Sequence, residues 1–116
     1  MRHRIGHRKF GRNCGHRTSM FRNLLKSLII HEKIVTTVAK AKDVRPMVEK
    51  LVTKSRMESL HTRRYAISLL GGNCTAVNKL FTLGVKYNSR SGGYTRIVKI
   101  GYRKGDSAPL AAISFV

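Results

Sequence analysis

The chain has 116 residues, with 24 Lys+Arg against 5 Asp+Glu, giving a formal net charge of +19. That length holds one domain with a tail, and at 41% hydrophobic residues it supports a small core rather than full disorder. No apolar run reaches the ~20 residues that span a bilayer, the start Met1-Arg2-His3-Arg4 lacks the apolar segment of a secretory signal, and 2 cysteines cannot make a disulfide framework, so a soluble intracellular chain is expected.

Residues 1–17 contain Gly6, Gly11 and Gly15 and isolated Ile5 and Phe10, with no helical or strand period. They read as an extended basic arm that orders on a partner, followed by a single domain over 18–116. From Met1 to Ile30 there is no Asp or Glu, yet the stretch carries Arg2, Arg4, Arg8, Lys9, Arg12, Arg17, Arg22 and Lys26, with His3, His7 and His16 among them. Self-repulsion of such a run is relieved by a polyanion. Nucleic acid is the expected partner, and an anionic membrane surface is the alternative.

From Thr18 the pattern changes. Met20, Phe21, Leu24, Leu25, Leu28 and Ile29 make one apolar stripe at helical spacing, with Thr18 or Ser19 as the expected cap. The β-branched run Ile34–Val38 predicts a strand. A second helix follows, capped by Thr36 or Thr37, with Ala41, Val44, Val48, Leu51 and Val52 inward and Lys40, Lys42, Arg45, Lys50 and Lys54 elsewhere. Pro46 predicts a kink or a late start. A third helix is expected over Ser59–Leu70, ending at Gly71-Gly72, and a fourth over Cys74–Leu83 with Gly84 as its stop. Tyr94 to Tyr102 alternates as a strand, and after a turn-rich loop Leu110 to Val116 closes a hairpin. The expected fold is α+β: a two-layer α/β domain with about four helices packed on a small sheet, built from one strand after the first helix and the C-terminal hairpin.

Catalytic and metal patterns are weak. The five acids, Glu32, Asp43, Glu49, Glu58 and Asp106, look like residues balancing local cations rather than a dyad. His31-Glu32 begins a zincin pattern, but Val35 stands where the second ligand belongs. No nucleophile elbow and no phosphate loop occur. His3, His7, Cys14 and His16 have one thiolate and irregular spacing, unlike a zinc site, and Cys74 reads as a small core residue. No metal, cofactor or enzymatic activity is expected.

Arg2, Arg4, Arg8, Arg12 and Arg17 suit phosphate binding because a planar guanidinium grips two oxygens at once. Lys9 and Arg22 lie beside them, and Arg63, Arg64, Arg90, Arg96, Lys99 and Arg103 would extend contact over the domain. Phe10 has two readings, stacking on an unpaired base or docking back on the domain. Without a helix-turn-helix, a basic zipper or finger spacing, recognition by backbone and shape is expected. An architectural DNA-binding protein and a small RNA-processing enzyme are the competing readings.

Met1-Arg2-His3-Arg4 with Gly15-His16-Arg17, then His31-Glu32-Lys33-Ile34-Val35-Thr36-Thr37 and Lys40-Ala41-Lys42-Asp43-Val44-Arg45, resembles the bacterial large-subunit ribosomal protein 17 family. Gly92-Gly93-Tyr94-Thr95-Arg96 and Gly105-Asp106-Ser107-Ala108-Pro109 resemble its two C-terminal signatures, so the likeness covers essentially the whole chain. The resemblance implies a structural, non-enzymatic constituent of the large (50S) ribosomal subunit, bound to 23S rRNA near the outer end of the polypeptide exit tunnel. It further implies a two-layer α/β domain, cytoplasmic location in a bacterial rather than an organellar ribosome, and neighbouring ribosomal proteins as partners, including the family numbered thirty-two. Family-type rRNA contacts fall on Arg2, His3, Arg4, His16, Arg17, Tyr94 and Arg96. Cys14-Gly15 departs from the small hydroxyl residues often found there, and no C-terminal extension is expected after the last strand.

Overall fold

In the computed structural model, which describes His3 and residues 8–116, the first helix starts earlier than its apolar stripe. Asn13 is the cap: its side chain accepts the backbone N–H of His16 at 2.9 Å, and α1 runs Cys14–His31. Thr18, expected as a cap, instead lies inside the helix and donates its hydroxyl to the Cys14 carbonyl at 2.9 Å. Residues 14–17, expected in the arm, are therefore the first turn of α1. Apolar periodicity missed them because this turn is exposed and has no core to face. Arg2, Arg4, Ile5, Gly6 and His7 lie outside the described residues.

The chain turns at Glu32 in the left-handed region (φ 61°), its N–H donating to Leu28, and enters β1, Lys33–Thr37. The Thr37 side chain caps α2, Val38–Ser55. Pro46 lies inside this helix, so the expected late start is not found. Proline removes the amide that would meet the Lys42 carbonyl, but both residues are exposed, on the solvent side of the helix where the loss costs least. Ser59 and Thr62 form a reciprocal capping box for α3, Leu60–Leu69, which ends through Gly71 and Gly72 at φ 65° and 79°. Asn73 caps α4, Cys74–Lys86. Cys74 is exposed at the outer end of this helix and is not the core residue expected.

Gly84 does not stop α4. It lies buried within the helix, where a Cβ would stand 2.5 Å from the carbonyl oxygen and from the hydroxyl of Ser55. The missing side chain lets α4 close on the end of α2, and helix-breaking propensity gives way to this approach.

After residues 87–94 come β2, Thr95–Tyr102, and β3, Pro109–Phe115, in an antiparallel sheet of order β1-β3-β2. Register pairs Val35 with Ala112 and Ala112 with Val98, so these three share one face; a shift between Lys99 and Gly101 marks a bulge. Ala111 and Ile113 face the helices, fully buried, and join Leu25, Leu28, Ile29, Val44, Val48, Leu51, Val52, Val77 and Leu80 in one core. Helices cover only that face: Val35, Val98 and Ile100 remain at least half exposed on or beside the other.

Two polar ties hold the layers together. Glu49 of α2 accepts both the hydroxyl (2.7 Å) and the N–H (3.3 Å) of buried Thr95. Tyr94, with no exposed surface, donates its hydroxyl to the Arg90 carbonyl at 3.2 Å and lies 3.2 Å from the Thr53 hydroxyl, its ring tilted against Tyr87. Tyr94 is therefore a core residue, and the expected rRNA contact through it is corrected. A large amphipathic ring placed just before a strand fills the gap beside α2.

Gly84→Ala should destabilise the fold by about 2 kcal/mol, because the obstacle is largely backbone and outweighs alanine's helix preference. Urea unfolding should show a lower midpoint at unchanged slope. Glu49→Ala should cost about 1–3 kcal/mol by stranding the Thr95 donors, and Glu49→Gln should recover part of that loss in the same assay.

Candidate nucleic-acid interface

Arg8 and Phe10 tie the segment before α1 to the domain. Arg8 donates its backbone N–H (3.2 Å) and its guanidinium (2.8 Å) to the two carboxylate oxygens of Asp43 on α2. Phe10 meets Phe21 edge-to-face at 5.8 Å, so of its two readings the structure has the ring docked on the domain. The Arg12 guanidinium donates to the Phe10 carbonyl, and that of Arg17 to the Arg12 carbonyl. A tight turn over residues 9–12, with Phe10 and Gly11 both at positive φ, makes this geometry.

Folding brings Arg8 and Arg17 together with Lys42 and Lys50 around a groove of about 720 Å³ between α1 and α2, floored by Phe21, Pro46 and Met47 and closed at one end by Asp43. Arg17, Phe21 and Met47 also line an adjoining small cavity with Arg22 and Leu69. On another flank of α1, Arg12 and His16 border a shallow groove of mixed character with Ser19, Met20, Asn23, Leu24 and Ser27. His3 and Lys9 are exposed nearby in the chain.

The remaining expected contacts lie on other elements and do not join this cluster. Arg64 and Arg90 are exposed, and Arg96 projects from the open face of the sheet. Arg63 pairs with Glu58 and lies over the Phe81 ring, 4.7 Å from its centre. Arg103 grips Asp106 through two hydrogen bonds of 2.9 and 2.7 Å. Lys42 and Lys50 were not among the expected contacts; the signal was their eight-residue spacing off the apolar stripe of α2, which shows one helix face but not what lies opposite.

Every carboxylate is already committed. Asp43 pairs with Arg8, Glu49 with Arg45, Glu58 with Arg63, Glu32 with Lys79 and Asp106 with Arg103, five acids on five different cations. No two acids share a cation. The hydrogen bond and charge of Lys79 hold Glu32 below the usual carboxylate range.

The sequence pattern of the family described as Ribosomal protein L17 matches residues 20–116. The chain belongs to the ribosomal protein L17 family. The large ribosomal subunit protein bL17 of Azorhizobium caulinodans is 56% identical over 117 aligned residues, which cover all of this chain and 84% of that protein. Those of Brucella ovis and Brucella canis are each 54% identical, over all of this chain and 82% of theirs. The L17 match begins inside α1, so it takes in Lys42, Lys50 and the whole sheet, whereas Arg8, Arg12 and Arg17 precede it.

In this L17-family chain the loop between β2 and β3 is clasped by Asp106, whose carboxyl is lowered to about 2 by the Arg103 guanidinium and the Ala108 N–H. Because the folded value lies below the ordinary 3.8, the clasp is fully formed above that value and lost as pH falls through about 2. NMR titration of the Asp106 carboxyl should give a midpoint near 2, with the Ala108 amide following it, and Asp106→Asn should abolish the coupled amide shift.

Proposed function

We propose that this chain is a structural constituent of the large ribosomal subunit, binding 23S rRNA through phosphate and shape contacts. The single observation that carries the reading is the commitment of all five carboxylates to internal ion pairs, which leaves the formal +19 without counter-charge inside the protein. A polyanion supplies that charge, and membership of a ribosomal protein family makes rRNA the polyanion. No helix among the described residues is long and apolar enough to cross a membrane.

The groove residues Arg8, Arg17, Lys42 and Lys50 form one contact region, with Arg12, His16 and Arg22 on the flanks of α1. Arg2, His3, Arg4 and Lys9 extend it toward the N-terminus, and Arg64, Arg90 and Arg96 carry it to other faces. Arg8, Arg63 and Arg103 contribute only where phosphate competes with Asp43, Glu58 and Asp106. Location near the exit tunnel, in bacterial cytoplasm, beside small basic ribosomal proteins including the family numbered thirty-two, follows from the likeness of the motifs in residues 1–17, 31–45 and 92–109. The role is architectural: neutralising and pinning rRNA helices rather than catalysis.

Sucrose-gradient sedimentation of a cell lysate tests the reading. The chain should travel with the large subunit and stay there at salt that strips loosely held basic proteins. Migration with chromosomal DNA, or free at the top of the gradient, would overturn it. In purified form, affinity for structured rRNA fragments should fall about 10³- to 10⁵-fold between 50 and 200 mM salt if six to ten phosphates are neutralised. A flat response would refute the electrostatic account.

A further inference from the structure

We infer that the groove between α1 and α2 is a pocket for one unpaired nucleotide of RNA, an inference that rests on the rRNA-binding reading above. Two features of the groove are hard to reconcile with a merely solvated basic face. Its floor is apolar: the half-buried Phe21 and Met47 pack on the core from below and, with Pro46, present a ring, a thioether and a pyrrolidine to the open side. Its walls are cationic: Arg17 from α1 and Lys42 and Lys50 from α2, with Arg8 paired to Asp43 beside them. Asp43, the one acid among the described lining residues, is neutralised by two hydrogen bonds from Arg8 and so does not repel an anion.

A volume of about 720 Å³ lies within the range of small-ligand sites. The combination asks for a flat apolar group joined to a negative one. A base stacked on aromatic and thioether surface, with its phosphate among guanidinium and ammonium groups, meets both demands. A paired base cannot, because both its faces are already stacked in the helix, so the occupant is a bulged or looped-out nucleotide.

The test uses the full chain labelled with 13C at its methionine methyls. It is titrated at one salt concentration with an RNA hairpin carrying a single bulged adenosine, and with a fully paired hairpin of equal length. Met47 reports the groove, and Met57, exposed in the connection after α2, serves as the internal reference. The bulged hairpin should bind about tenfold more tightly and should shift the Met47 methyl upfield by ring current while Met57 stays in place. Lys42→Glu/Lys50→Glu, which changes two exposed residues, should remove the preference for the bulge. Equal binding of both hairpins with no distinct Met47 shift would overturn the pocket and leave the rRNA reading standing. A Met47 shift with an acidic peptide such as oligoglutamate, but not with the bulged hairpin, would assign the groove to protein instead. Binding to neither hairpin would overturn both readings.

Discussion

Mutual repulsion among 24 cationic side chains is the constraint on which the rest of this structure depends. The fold meets it by using each of its 5 acids where two parts of the chain must be held together. Asp43 fastens the segment before α1 to α2, and Glu49 joins α2 to β2 through Thr95. Glu32 ties the end of α1 to Lys79 of α4, whose ammonium also donates to the Ile30 carbonyl. Glu58 steadies the approach to α3, and Asp106 closes the loop of the hairpin. Exposed pairs of this kind contribute little energy each. Their consequence is geometric: they set where the chain is pinned, and they leave the remaining cations to face outward.

Apolar packing supplies the rigid support behind those cations. The stripe of α2 packs against all three strands, α1 packs on β1, α2 and α4, and Gly84 allows α4 to close on α2. Because α1 and α2 are held by a shared core, their outer rims stand at a defined separation. The groove between them is thus a product of packing below and repulsion above. An interior cannot accept the charges of Arg17, Lys42 and Lys50, so the rim of the groove stays at the surface.

Much of this was legible in one dimension. The apolar spacing along Leu25–Ile29 and Ala41–Val52, the Thr37 cap, the Gly71-Gly72 break and the alternation up to Tyr102 each depend on neighbours a few residues away, and the elements follow in the expected order although α1 starts earlier than its stripe. The clustering of positive charge was equally plain. Readings failed where a residue's surroundings come from elsewhere in the chain. Tyr94, beside a double glycine and an arginine, looked like an RNA contact but fills the core against Tyr87 and Thr53. Cys74, small and apolar, looked buried and is exposed, and Gly84 looked like a helix stop and is a point of close approach.

The sequence by itself determined the excess and clustering of positive charge, the kinds and order of the elements and the family, because charge balance, short-range periodicity and motif spacing are properties of the linear chain. Only the tertiary structure decided which cations act together. Arg17 and Lys42 are on different helices, and Phe21 and Met47 become one surface only after α1 and α2 pack. Periodicity says which side of a helix is buried, but it carries no information about which residue of another helix will stand opposite. That juxtaposition is set by the shape of the shared core.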